Sequence, residues 1–218
     1  MRIAVAEGSE VEGMLARPAD ARALLVLAHG AGAPMRHVFL EELARRLASR
    51  RVATLRFAFP YAQRGGRTPD KPPVLMATVR AAVRAGASLA SGLPLFAGGK
   101  SMGGRMTSQA MAEAPLPGVR GLVCVGFPLH PAGQPSTARA AHLAKVSVPM
   151  LFLQGTRDTL ADLALLRPVV EPMPHATMHV VEGADHGFHV RKSSGRTDAE
   201  VLDELAEVTA AWIDQAVR

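Results

Sequence analysis

Three residues of this 218-residue chain have the types needed for acyl-transfer chemistry: Ser101, Asp158 and His186. A serine hydroxyl is a poor nucleophile until a base takes its proton, and a histidine titrating near neutrality suits that task. His186 would accept the Ser101 proton and later deliver it to a leaving group. Asp158 would hold the imidazole tautomer and stabilise the imidazolium. Asp185 and Asp162 are rival acids. Asp158 is preferred because it follows a strand-like run directly, whereas Asp185 shares the tight turn Gly183-Ala-Asp-His186 with the base. Taken singly, His186 also reads as a surface turn residue, and Asp158 as the N-cap of a helix starting at Leu160.

The surroundings of Ser101 strengthen the assignment. Gly99-Lys-Ser-Met-Gly103 fits G-x-S-x-G between an apolar run (residues 94–97) and a helix-like segment reaching about residue 114. A serine at the apex of a sharp strand-to-helix turn has an exposed Oγ and a strained backbone, and side chains two residues away on either side would collide. A phosphate-binding loop needs glycine six residues before the Gly-Lys-Ser lysine, and that position is Pro94. A plain glycine-rich turn carrying an exposed serine remains the other reading of these letters. An oxyanion would need two backbone donors. Met102, after the serine, supplies one, and Ala31 in the loop His29-Gly-Ala-Gly-Ala-Pro34 is chosen as the other, with glycines on both sides of it.

These residues must be positioned by strands and helices, and the pattern is regular. The continuous apolar run at residues 23–28 reads as a strand buried on both faces, residues 52–57 and 121–127 read as further buried strands, and residues 148–154 and 176–182 as the last two strands. A helix with Phe39, Leu43 and Leu47 on one face, an alanine-rich helix over residues 74–90, a helix over 160–167 and one over 198–217 alternate with them. Two short runs at residues 3–6 and 11–17 suggest an edge hairpin. The alternation predicts an α/β fold in one domain over residues 1–218, a doubly wound, mostly parallel sheet with helices on both faces. In such sheets ligands collect beyond the carboxyl ends of the strands. His29, Gly30, Tyr61, Ser101, His130, Asp158 and His186 all stand there. His29, Gly30, Tyr61, Phe127 and His130 are candidates for a substrate pocket, with structural roles in strand-end loops an equal reading of Tyr61, Phe127 and His130.

Composition excludes several alternatives. One cysteine, Cys124 in an apolar run, rules out a disulfide framework and suggests a buried core thiol. The formal charge of +6 comes with 25 basic residues scattered along the chain, and aromatic residues are 4%. That is too few for base stacking, so no nucleic-acid partner is expected. His175 and His179 have helical ligand spacing but follow Pro174 and enter a strand pattern, and His186 and His189 lack ligand partners in order. No metal and no cofactor are expected. Gly30-Ala-Gly32 starts a dinucleotide fingerprint that Met35 breaks. With no long apolar run and no leader-like start, a soluble, cytoplasmic location without membrane contact is expected.

Together these stretches resemble the α/β-hydrolase superfamily, near its small dienelactone-hydrolase-like branch. The resemblance extends to a group of predicted serine hydrolases marked by His29-Gly-Ala-Gly-Ala-Pro34, Arg56-Phe-Ala-Phe-Pro-Tyr61, Gly99-Lys-Ser-Met-Gly-Gly-Arg105, Phe127-Pro-Leu-His-Pro131 and Gly155-Thr-Arg-Asp158. It covers nearly the whole chain and implies an α/β-hydrolase fold with an eight-stranded type of core sheet, and Ser101, Asp158 and His186 in their chain order as the triad. The segment 127–147, where a lid usually lies, is short, so a minimal or absent cap is expected. Arg139 and His142 within it are expected to face solvent. The expected activity is cleavage of a small acyl ester or thioester through an acyl-enzyme. A non-catalytic binding protein on the same fold is the alternative, and oligomeric state is left open.

Overall fold

The computed structural model describes residues 1–6 and 9–217. Its elements in order are β1 (Arg2–Ala6), β2 (Ser9–Ala16), β3 (Ala23–Ala28), α1 (Val38–Ala48), β4 (Val52–Phe57), α2 (Pro60–Gln63), α3 (Pro72–Ala90) and β5 (Leu95–Lys100). There follow α4 (Met102–Glu113), β6 (Val119–Val125), β7 (Met150–Gly155), α5 (Leu163–Val170), β8 (Ala176–Val181) and α6 (Asp198–Val217). The strands form one eight-stranded sheet in the order β1-β2-β4-β3-β5-β6-β7-β8. The β1–β2 and β2–β4 pairs are antiparallel, and every other pair is parallel. The expected hairpin is thus present, and the residues joining its strands lie outside the described ones.

The unbroken apolar runs follow from burial on both faces. Along β3, Leu24, Val26 and Ala28 enter one core, while Ala23, Leu25 and Leu27 enter the other. Helices α3, α4 and α5 cover the first face with Leu75, Val79, Val83, Met106, Ala110, Leu166 and Val170. Helices α1 and α6 cover the second with Leu40, Leu43, Leu47, Val201, Leu205 and Ile213. A buried Leu or Val side chain contributes roughly 1.5–3 kcal/mol, so each strand of the central sheet is anchored twice.

This order also positions the chemistry. The chain passes from β3 to β4 on one side and then returns to lay β5 on the other, so β3 and β5 are neighbours, with Ala28 opposite Gly99. Loops leaving these two strands meet at the switch in strand order, where open α/β sheets bind ligands. Lys100 lies opposite Val125, Val125 opposite Leu153, and Gly155 opposite Val181, so β5, β6, β7 and β8 end at one edge.

Several elements differ from the sequence expectation. The run expected to break at Gly98 continues as strand to Lys100, because both glycines pair with β6. Helix α5 starts at Leu163 rather than Leu160, because Asp162 supplies its cap, accepting from the Ala164 N–H at 2.8 Å. Between β6 and β7 the chain holds only two single 3-10 turns, Ala138–Ala140 and Leu143–Lys145, and no helical cap. His142, expected to face solvent, is half-buried and shares a 2.8 Å hydrogen bond with Ser108 of α4. That bond pins the short segment to the body of the fold.

Candidate active site

Ser101 occupies the turn between β5 and α4 with φ 51° and ψ −118°, a left-handed conformation that a non-glycine residue adopts at a cost. Its N–H donates to the Val125 carbonyl at 2.9 Å, which ties the turn to β6. Only glycine fits at the two positions flanking it. A Cβ at Gly99 would lie 2.5 Å from the Ala28 carbonyl oxygen, and one at Gly103 would lie 2.6 Å from those of Ala28 and His29. The sharpness of the turn therefore depends on how closely α4 and β5 approach the end of β3.

His186 comes from the loop after β8. Its Nε2 lies 2.8 Å from Ser101 Oγ, and its Nδ1 lies 2.7 Å from Asp158 Oδ2. A carboxylate only accepts, so Nδ1 carries the proton and Nε2 presents its lone pair to the serine hydroxyl. The Asp158 side chain is 1% exposed and that of His186 25%, so the carboxylate is sealed and the imidazole borders the cleft. Asp158 is held from two further sides: Oδ2 accepts from Gln154 Nε2 at 2.6 Å, and Oδ1 accepts from the Leu160 N–H at 2.8 Å.

The rival acids are committed elsewhere. Asp185 Oδ1 accepts from the Gly187 and His189 N–H groups at 2.8 and 2.9 Å, building the turn that carries His186. Asp162 caps α5, and its own N–H donates to His130 Nε2 at 3.1 Å. Neither carboxylate shares a hydrogen bond with the His186 ring.

The loop after β3 folds over the serine turn, so that a Cβ on Gly30 would meet Ser101 Cβ at 3.5 Å. His29 is fully buried, donates from Nδ1 to the Gly30 carbonyl at 2.8 Å and accepts the Phe59 N–H at Nε2 at 3.1 Å. Burial pushes this imidazole below its ordinary range, though the bond to Gly30 pulls the other way, so the ring stays neutral. Tyr61 Oη donates to the same carbonyl at 3.4 Å. Across a trans peptide the carbonyl and the next N–H point opposite ways, so holding the Gly30 oxygen turns the Ala31 N–H outward. Among the described residues that N–H meets no protein acceptor. The Met102 N–H, first in α4, has no partner within its helix.

A cleft of about 530 Å³ opens beside Ser101 and His186. Its apolar wall is Ala31, Val38, Phe39, Leu40, Phe188 and Leu202, and its polar rim includes Glu42, His189 and Asp198. Phe39 and Phe188 stack with ring centroids 5.8 Å apart. Of the five residues expected to line a pocket, only Gly30 borders this cleft. His29 and Tyr61 lie behind the loop as its supports. Phe127 packs in the core against Phe152, and its N–H donates to Gln154 Oε1 at 3.0 Å. His130 borders a separate surface hollow near Arg139. Standing past a strand end puts a residue on the right edge of the sheet but does not choose the side of the loop it faces.

Sequence reasoning missed Gln154, Lys100, Phe39 and Phe188. Gln154 had a signal, a polar residue inside the apolar run of β7. Lys100 had one too, a charge next to the serine in a run otherwise free of charge. Cys124 is buried as expected, and burial pushes its thiol up to about 12. Among the described residues, no group of three or more His, Cys, Asp or Glu side chains is placed to hold a metal ion, and no helix is long and apolar enough to cross a membrane.

Comparison with known proteins extends these observations. A family model described as an alpha/beta hydrolase domain matches residues 21–214. Est1E from Butyrivibrio proteoclasticus, solved with ferulic acid bound, superposes with a TM-score of 0.78 at 14% identity, covering 100% of this chain and 99% of that one. A dienelactone hydrolase from Anabaena variabilis gives 0.78 at 20% identity, covering 99% and 95%. XC6422 from Xanthomonas campestris, described as an α/β serine hydrolase without lid, gives 0.74 at 18% identity, covering 97% and 93%.

Proposed function

We propose, starting from the fact that this chain belongs to the alpha/beta hydrolase domain family, that it is a serine hydrolase cleaving a carboxylic ester or thioester through an acyl-enzyme. The observation that carries this reading is the continuous chain from Ser101 Oγ to His186 Nε2 at 2.8 Å and from His186 Nδ1 to Asp158 Oδ2 at 2.7 Å.

In the acylation step the Ser101 proton moves to His186 Nε2 while Oγ forms a bond to the substrate carbonyl carbon. Negative charge moves to the carbonyl oxygen, and the Ala31 and Met102 N–H groups are the donors available to it, at the start of α4 where the helix dipole also favours an anion. The tetrahedral species collapses, the bond to the leaving oxygen or sulfur breaks, and the Nε2 proton goes to that atom. Water then repeats the sequence, with His186 as base, and releases the acid and free Ser101. Asp158 remains ionised throughout and balances the imidazolium.

The cleft supports a choice of acyl partner. Its volume lies within the range of small-molecule sites, its wall is apolar and partly aromatic, and the short β6–β7 connection leaves it open. Small or aromatic acyl groups fit this better than long chains that need a closed tunnel. Ferulic acid on Est1E and the lidless architecture of XC6422 are consistent with that preference.

A panel of p-nitrophenyl esters and matching acyl thioesters, with products identified by mass spectrometry, tests the reading. Turnover of short and aromatic esters that vanishes in Ser101→Ala, with the free acid as product, is expected. Equal rates in wild type and variant would overturn it, and transfer of the acyl group to an acceptor other than water would redefine the reaction.

A further inference from the structure

Lys100 precedes Ser101 and ends β5, yet the residue is only 8% exposed. The ammonium donates to the backbone carbonyl of His186 at 2.6 Å. It also lies over the rings of Phe188 and Phe39, 5.4 and 5.8 Å from their centroids. Space for it depends on Gly126, whose φ is +66° and where a Cβ would come within 3.0 Å of Nζ. Phe188 adopts φ 64°, uncommon for a bulky side chain, and that turn presents its ring to the lysine.

A buried ammonium is costly, and a methionine would fill an apolar slot of this shape without that cost. Among the described residues Lys100 forms no ion pair. The acidic groups around it already have partners: Asp158 with His186 and Gln154, Asp185 with two loop N–H groups, Glu42 of α1 with Arg45 and Arg46, and Asp198 of α6 with His189. What the charge does contact is the backbone of the residue that bears the base.

We propose that Lys100 is a positioning residue for His186, its ammonium tying the loop that carries the imidazole to the strand that carries Ser101. The inference rests on the hydrolase reading for its consequence but not for its geometry. This bond links the two halves of the site beside the His186–Ser101 hydrogen bond, because Lys100 is covalently joined to Ser101 and hydrogen-bonded to His186. A charge-assisted bond is stronger than a neutral one, and the two rings favour the cation further. Burial pushes the Lys100 ammonium down to about 8, with Asp158 and Asp185 pulling the other way. Below that pH the tie is a charged one, and above it the amine is neutral and the tie weakens. The other ionisable groups facing this cleft are His186 and His189 on the loop after β8, His37 at the N-cap of α1, Glu42 on α1 and Asp198 on α6.

The test is NMR on protein carrying 13C in lysine and histidine side chains. Only four lysines are present, and Lys71, Lys145 and Lys192 are exposed. The Lys100 signal, assigned by its absence in Lys100→Met, is expected to titrate near 8. His186 Cε1–H, assigned with His186→Asn, is expected to show a step at the same pH as Lys100, and this step should be absent in Lys100→Met. The fluorophosphonate inactivation rate of Lys100→Met should fall about 10- to 100-fold, the scale expected when a catalytic group is displaced by a fraction of an ångström to one ångström. A wild-type His186 resonance that is flat between pH 7 and 9.5, or one unchanged in Lys100→Met, overturns the proposal. The wild-type titration decides the matter even if the variant fails to fold. A coupled step in a protein whose Ser101 never reacts would leave the positioning role standing and remove the hydrolase reading.

Discussion

Gln154 Nε2 donates at 2.6 Å to Asp158 Oδ2, the same oxygen that faces His186 Nδ1 at 2.7 Å. Gln154 Oε1 meanwhile accepts the Phe127 N–H at 3.0 Å. One buried amide thus orients the Asp158 carboxylate from β7 and fixes the start of the β6–β7 connection. Gln154→Leu leaves the Phe127 N–H unpaired and removes a donor to the carboxylate. A loss of about 1–3 kcal/mol in urea unfolding is expected, with a kcat reduced more than KM. Unchanged stability would mean the amide is replaced without cost.

The three candidate acids separate cleanly by mutation. Asp158→Asn is expected to lower kcat by about 10⁴-fold, because the amide no longer selects the tautomer with Nδ1 protonated. Asp162→Ala removes a helix cap and costs about 0.5–2 kcal/mol of stability, with kcat nearly kept. Asp185→Asn retains a side-chain acceptor for the Gly187 and His189 N–H groups and should affect kcat far less than the change at Asp158. Steady-state kinetics with urea denaturation on the three variants checks this.

Gly103→Ala places a methyl group against two carbonyl oxygens at 2.6 Å, both backbone and neither free to move. Overpacking of this kind costs about 1–3 kcal/mol or more, and here it also displaces α4 from Ser101. The variant is expected to be poorly soluble or to melt far below wild type with no detectable turnover. Gly118→Ala, at φ +76° with open space around it, carries backbone strain without a clash and should be milder. Thermal melts of the pair compare the two effects.

His142 gives a pH dependence with a defined sign. Burial, and then the charge of Arg105, push its imidazole down to about 4. A histidine whose folded pKa is lowered contributes stability present above the unfolded value near 6.5 and lost as pH falls through that value toward 4. His29 is shifted in the same direction by burial. The melting temperature of wild type is therefore expected to fall more steeply between pH 6.5 and 4 than that of His142→Gln. Parallel curves would contradict the neutral state of His142.

The sheet and its order of elements were largely legible because burial on two faces writes continuous apolar runs. Strand β4 and helix α6 follow the expected bounds, residues 52–57 and 198–217. The positions of Ser101 and His186 past strand ends followed from the same logic. Less could be read about the carboxylate that meets His186. Asp158 follows its strand directly, but the letters do not show that Asp162 caps α5, that Asp185 binds the Gly187 and His189 N–H groups, or that Gln154 and His186 share Asp158 Oδ2. The cleft wall was least legible. Phe39 reads as a core position of an amphipathic helix, and Phe188 as a loop residue. They meet only because α1 and the loop after β8 converge on one side of the β5 edge, a contact between residues 149 positions apart (188 minus 39). Tyr61 and His130 gave stronger local signals, and both turn away into supporting roles.

The central claim is that Ser101 is an activated nucleophile, and intact mass after incubation with a fluorophosphonate tests it most directly. Wild type is expected to gain the mass of one adduct and Ser101→Ala none, with His186→Gln labelled far more slowly. Folded wild type that gains no mass, or a Ser101→Ala variant that is labelled equally, would contradict the account.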